Sequence, residues 1–408
     1  MEIYNNYSIG KVYSMLEYEN RTPEVLYLND MITRYISETR KSIMEAMKQL
    51  PNGSRVDVMK WISQNVGSDI QYYVRCEYLN EPYSILRKRN GSWKRVADIG
   101  VAVLEREPQK AIRDFEWLTT LKRKSAEALE DPLQVFESHA HYDLKQYNGI
   151  RDELMALLHQ TGVEKCIIPA IEFDDVKRCM ELFDEPEYSW VYYAVGSHPK
   201  YIWKERELWD DIRWHDFRRM LNNPKCCAVG EIGLDYSYES FCEEDREFQK
   251  KMFISFINEA NKAKLPVILH IRPVEGAMNR IVDAHKDAIE ILTENPIEYG
   301  AVLHCFGGDI TLMEQYMEVG VSYFGIGGRI SYMMRELDDA VINMPYRSIL
   351  LETDSPYIRL DGDRMPNTSL TLYDVAKRIA KMKGVAVKKI TDAAAENFGR
   401  LFHIELNE

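Results

Sequence analysis

In the stretch "VFESHAHYD", residues 135–143, His139 and His141 stand one residue apart, just after the apolar pair Val135-Phe136. A strand points residues i and i+2 the same way, so both imidazoles can project together from a strand end. Two more of the nine histidines, His270 in "PVILH" and His304 in "GAVLH", also close short apolar runs. Glu231 follows "AVG" and Asp354 follows "ILLET". Taken singly, each of the six fits an ordinary core, cap or turn position. Taken together they would bury several polar groups without partners, at a cost of several kcal/mol. A divalent cation removes that cost, because imidazole nitrogen and carboxylate oxygen suit Zn, Mn and related ions. Six donors exceed one tetrahedral site and suit two ions. The expected division puts His139, His141 and Asp354 on the first and His270 and His304 on the second, with Glu231 bridging. Two ions about 3.5–4 Å apart stabilise both the attacking and the leaving oxygen of an in-line displacement. Asp354 and Glu231 are then the expected catalytic carboxylates, with Asp354 taking the proton of the attacking water.

These residues need elements to position them. From about residue 132, short apolar runs alternate with helix-like stretches: "LQVFE", "KCIIPA", "VYYAVG", "CCAVGEIGL", "PVILH", "GAVLH", "VSYFGIGG" and "SILLETD". Continuous apolar strands alternating with amphipathic crossovers predict an α/β fold with a parallel sheet covered by helices. Eight such units predict a closed (β/α)₈ TIM-like barrel, with the six residues at the C-terminal rim of its strands. An open doubly wound sheet would normally bring a glycine-rich phosphate loop after its first strand, and this chain has none there.

At 408 residues the chain is too long for one ordinary core. Its charge is uneven: residues 1–130 hold 20 basic and 18 acidic side chains, leaving 32 and 47 for residues 131–408. The predicted boundary therefore separates an α+β accessory domain, 1–130, from the barrel, 131–408. In the first part, "NDMITRYISETRKSIMEAMKQLPNG" predicts a helix stopped by Pro51-Asn52-Gly53, with a second helix after Ser54. "IQYYVRCEY" alternates as a strand does, and Asn90-Gly91 predicts a hairpin carrying Arg87, Lys88, Arg89, Lys94 and Arg95. That hairpin reads either as a wing-like nucleic-acid contact or as a strand pair solvated by its own charges. Residues near 108–130 predict a further helix.

The net charge of −13 argues against a broad nucleic-acid-binding surface. No apolar run approaches a membrane span. "MEIYNNYSIG" lacks a signal-peptide pattern, and the seven scattered cysteines form no disulfide framework. A cytoplasmic location is expected, with no membrane partner.

The ordered series "ESHAHYD", "VGSHP", "VGEIGLDY", "PVILHIR", "HCFGG", "LLETDSPYI" and "ENFGRLF" resembles the TatD-like metal-dependent hydrolases over about residues 132–404. The resemblance implies a metal-dependent DNase barrel that acts on ends or single strands, often from the 3′ side. It implies the same six ligands for two divalent ions (Zn, Mn or Mg). It adds His198 in "GSHP" as a phosphate or substrate contact, and Arg272 suits a phosphate through its guanidinium fork. Lys200 stands where the family often has histidine, Pro273 where an acidic residue is usual, and Gly307 where serine is usual. These departures touch the rim, and so bear on substrate choice more than on metal binding. Two alternatives stay open. One is a hydrolase of another small ester, amide or phosphoester on the same barrel. The other is a nuclease subunit that docks a protein partner through residues 1–130.

Overall fold

The computed structural model describes residues 133–406 apart from 149, 238–241, 275–282 and 363–365. Before them it describes four strands and residues 117, 121, 124 and 125. The chain divides into two compact units, residues 1–132 with 144–161, and residues 133–143 with 162–408.

The first unit contains strands β1 (Lys60–Ile62), β2 (Gln71–Arg75), β3 (Tyr83–Arg89) and β4 (Ser92–Ile99). They form an antiparallel sheet in sequence order. Arg89 pairs with Ser92 across Asn90-Gly91, so the expected hairpin is present. The helix expected after Ser54 is corrected: Lys60–Ile62 is a strand. The segment "RVDVMKWI" is rich in valine, tryptophan and isoleucine, which favour a pleated surface. The helix expected near residues 29–50 lies outside the described residues. Trp117, Leu121, Lys124 and Ser125 are helical, as expected for 108–130. Helix α1 (Arg151–Thr161) belongs to this unit, and Ser125 Oγ meets Thr161 Oγ1 at 2.5 Å.

In the second unit every expected apolar run becomes a strand. These are β5 (Val135–Glu137), β6 (Val163–Pro169), β7 (Val191–Val195), β8 (Cys226–Asp235), β9 (Val267–Arg272), β10 (Ala301–Leu303), β11 (Tyr323–Ile326) and β12 (Ile349–Leu351). Each strand pairs in parallel with the next in sequence. The two ends of the series meet. Ser138 N–H donates to Leu351 O (3.1 Å), Asp354 N–H to His139 O (2.9 Å) and His141 N–H to Ser355 O (2.8 Å). The result is a (β/α)₈ barrel.

Glu137 clasps this seam. Its Oε1 accepts from Thr353 N–H at 2.9 Å, and its Oε2 accepts from the hydroxyls of Thr353 and Ser369 at 2.7 Å each. One apolar cluster draws Phe136, Ile167, Ala194, Ala228, Ile268, Val302 and Leu350 from strands around the ring. Phe398, Leu401 and Phe402 join it from the last helix. The interior is thus filled rather than open, as barrel cores are.

The remaining helices are α2 (Asp175–Phe183), α3 (Pro199–Ile202), α4 (Asp211–Leu221), α5 (Glu243–Ala263), α6 (Ala284–Glu294), α7 (Ile310–Glu318), α8 (Arg335–Asn343), α9 (Leu372–Lys383) and α10 (Val387–Phe402). Asp210, Asp283 and Asp309 start α4, α6 and α7 by accepting a backbone N–H of the first turn. Each such cap stabilises its helix by about 1 kcal/mol. None of the helices among the described residues is long and apolar enough to cross a membrane.

Candidate metal centre

The strand ends bring all six expected ligand residues into one buried cluster. His139, His141, Glu231 and His304 are almost wholly buried, and the side chains of His270 and Asp354 are each 15% exposed, at the opening. Glu231 sits where β8 slips by one residue against β9, since Val229 faces Val267 but Ile232 faces Leu269. A bulge of this kind re-aims a side chain. Gly230 permits it, because a Cβ there would come within 2.6 Å of Ile268 Cβ.

Glu231 then faces two ways. Its Oε1 lies 3.2 Å from His139 Nε2 and 3.5 Å from His141 Nε2. Its Oε2 lies 3.2 Å from His270 Nδ1 and 3.5 Å from His304 Nε2. Asp354 Oδ1 is 3.2 Å from His141 Nε2 and 3.8 Å from His139 Nε2. It also groups with His139 and His304, which places it beside both halves of the cluster.

Burial alone would drive both carboxyls toward the neutral form. For Glu231, the imidazoles of His139, His198 and His304 outweigh that effect and hold the carboxyl well below its ordinary range. Asp354 is likewise lowered, by its hydrogen bond to His141 and by the charge of His304. Several donor atoms nevertheless have no hydrogen-bond partner among the described residues: His139 Nδ1 and Nε2, and Glu231 Oε1. Such groups are costly unless something coordinates them. The donor set also fits divalent cations chemically, with two imidazole nitrogens and a carboxylate in each candidate group.

The residues expected to meet substrate stand around this cluster. His198 is buried, caps α3, and accepts the Lys200 N–H on Nδ1 at 3.0 Å. Its neutral ring therefore carries hydrogen on Nε2, which is 3.8 Å from Glu231 Oε2. Lys200 and Arg272 line a cavity of about 260 Å³ over the cluster, together with Tyr201 and Tyr357.

Three carboxylates escaped the sequence reading. Asp235, at the end of β8, is 3.4 Å from His270 Nε2. Glu352 is 3.4 Å from His304 Nδ1 and accepts the Cys305 N–H at 2.6 Å. Glu137 accepts the His139 N–H at 3.1 Å. The available signal was the period of two: Glu137, His139 and His141 alternate, and so do Glu352 and Asp354. Outer partners that orient ligand imidazoles commonly come from such neighbours.

Known proteins resemble the chain over its barrel. A family described as "TatD related DNase" matches residues 136–403. The metal-dependent hydrolase YcfH of Escherichia coli is 30% identical over 275 residues, covering 66% of this chain and 96% of YcfH. The protein named "3'-5' ssDNA/RNA exonuclease TatD" from Erwinia tasmaniensis is 28% identical, covering 66% of this chain and all of that one. The crystal structure of YjjV, a TatD homologue from Escherichia coli, superposes with a TM-score of 0.58 at 27% identity, covering 66% of this chain and 98% of YjjV.

Proposed function

Since this chain belongs to the family of TatD-related DNases, metal-dependent hydrolases, we propose that it hydrolyses DNA phosphodiester bonds with two divalent ions, Zn, Mn or Mg. The carrying observation is the Glu231 carboxylate, which offers one oxygen to His139 and His141 and the other to His270 and His304. His139, His141 and Asp354 would hold one ion, His270 and His304 the second, and Glu231 both. Bound ions would neutralise phosphoryl charge and acidify an attacking water.

The chain's own groups do the rest. Asp354 Oδ1, at the opening of the cluster, accepts the proton of that water. His198 donates its Nε2 hydrogen to a phosphoryl oxygen. Arg272 meets a phosphate through a planar fork and Lys200 through a point charge. Tyr357, on the cavity wall, is 48% exposed, and Lys204 lies over the rings of Tyr201, also on that wall, and Trp203. Exposed rings beside cations suit the stacked bases of a single strand, and the name of the Erwinia relative points to the 3′ end.

A digestion series tests this. The chelated protein, reloaded with Mn, Mg or Zn, is given end-labelled single- and double-stranded DNA and RNA. The expected result is stepwise, metal-dependent shortening of single-stranded DNA from its 3′ end. Intact DNA alongside rapid hydrolysis of a small ester or amide would assign the centre to another hydrolase chemistry.

A further inference from the structure

Beside the metal centre the cleft widens into a second cavity of about 760 Å³. Arg329 lies on its wall, in the turn Gly328–Tyr332 that follows β11. Two features of this arginine are unusual. It is half-buried in a strongly acidic domain and bonds to the side chain of Cys305, yet it forms no ion pair among the described residues, although Glu352 and Asp354 line a small pocket with it. Its guanidinium also occupies the space that a side chain at position 307 would fill. A Cβ on Gly307 would come within 2.5 Å of Arg329 Cζ and 2.7 Å of its Nε and Nη2. A glycine at 307 therefore leaves the guanidinium the space it occupies.

A half-buried guanidinium that no carboxylate pairs directly keeps donor capacity for an anion, and a ligand phosphate in the cavity would use it. The cavity wall carries Arg272 as well, and Asp354 and His304 of the metal centre border the same space. Phe306, Leu312 and Met334 supply an apolar wall. Two cations and an apolar face match the phosphate and base of one nucleotide. We propose that this cavity binds the nucleotide next to the scissile bond, with Arg329 holding its phosphate and Gly307 providing the room. The proposal rests on the phosphodiesterase reading and adds a specificity element to it: a substrate with two successive phosphates is preferred to one with a single phosphate.

The test reads binding rather than turnover. The Mn-loaded full chain is titrated calorimetrically with thymidine 5′-monophosphate and with thymidine 3′,5′-bisphosphate. Charge-assisted bonds to one phosphate predict about ten- to hundredfold tighter binding of the bisphosphate. Arg329→Ala should reduce that preference to about threefold or less. Gly307→Ser should do the same without changing any charge, by displacing the guanidinium. Arg329→Lys should keep part of it, as a point charge in place of a fork. Equal affinities in the wild type, or an undiminished preference in folded Arg329→Ala, overturn the proposal. If the bisphosphate preference appears and vanishes with Arg329 while no nucleic acid is cleaved in the digestion series, the nuclease reading falls and the anion site stands.

Discussion

Replacing Glu352 with alanine would detach His304 from the group that orients it. Glu352 is 1% exposed, its Oε1 accepts the Cys305 N–H at 2.6 Å, and the same oxygen faces His304 Nδ1 at 3.4 Å. With a hydrogen on Nδ1 facing that carboxylate, His304 would be free to offer Nε2 to an ion shared with Glu231 Oε2. Loss of such an outer partner typically lowers metal affinity about 10- to 100-fold, or roughly 1.4–2.7 kcal/mol. Truncation also strands the Cys305 N–H, at about 1–3 kcal/mol of stability. Glu352→Gln separates the two effects, because an amide oxygen can still accept from Cys305 while the charge facing His304 is gone. Gly325→Ala offers a third route, since its Cβ would fall 1.9 Å from Glu352 Oε2 and push the carboxylate aside. The assay is calorimetric titration of the chelated protein with Mn or Zn, with the melting temperature recorded in parallel. The expected result in all three variants is one ion weakened by 10- to 100-fold and the other within about threefold of wild type. Two undisturbed binding events in Glu352→Ala would refute the claim that this carboxylate sets His304.

The double variant His139→Ala/His141→Ala should retain one ion per chain by elemental analysis, and two retained ions would undo the division of ligands. Asp354→Asn should melt within a few degrees of wild type while turnover falls by about 10²- to 10⁴-fold, and near-normal rates would remove its proton-accepting role. His285, on the wall of the larger cavity beside the centre, supplies a pH test. Burial depresses its pKa to about 4, and its Nδ1 contacts Tyr316 Oη at 2.9 Å. An unfolded chain protonates this ring near pH 6.5, so unfolding takes up a proton between pH 6.5 and 4. Stability should fall as pH drops through that window, by at most about 3 kcal/mol. Denaturant titrations of His285→Gln should show a flatter acid limb, and an unchanged limb would assign the loss to other groups.

The barrel was legible in the sequence because buried parallel strands are written as short continuous apolar runs. "SILLETD", for example, yields β12 at Ile349–Leu351. The six residues of the centre were legible because histidines are rare here and fall at matching strand ends. What stayed hidden depends on partners far along the chain. Glu137 finds Thr353 and Ser369 at separations of 216 and 232 residues, and no local pattern announces such a meeting. Nothing in the sequence sets Arg329 apart, since its guanidinium lies over Gly307 only in the folded chain. The segment after Ser54 misled because a short apolar stretch does not by itself separate strand from helix.

The seam clasped by Glu137 also sets when the molecule can act during its own synthesis. His139 and His141 leave the ribosome more than two hundred residues ahead of Asp354, which follows β12. Chains are made and folded from the N-terminal side at roughly 5–20 residues per second, so a nascent chain passes many seconds with an incomplete set of ligands. On the proposed nuclease reading, a ribosome-stalled chain ending before Ile349 should leave added single-stranded DNA uncut, and metal-dependent cleavage by such a chain would contradict this built-in delay.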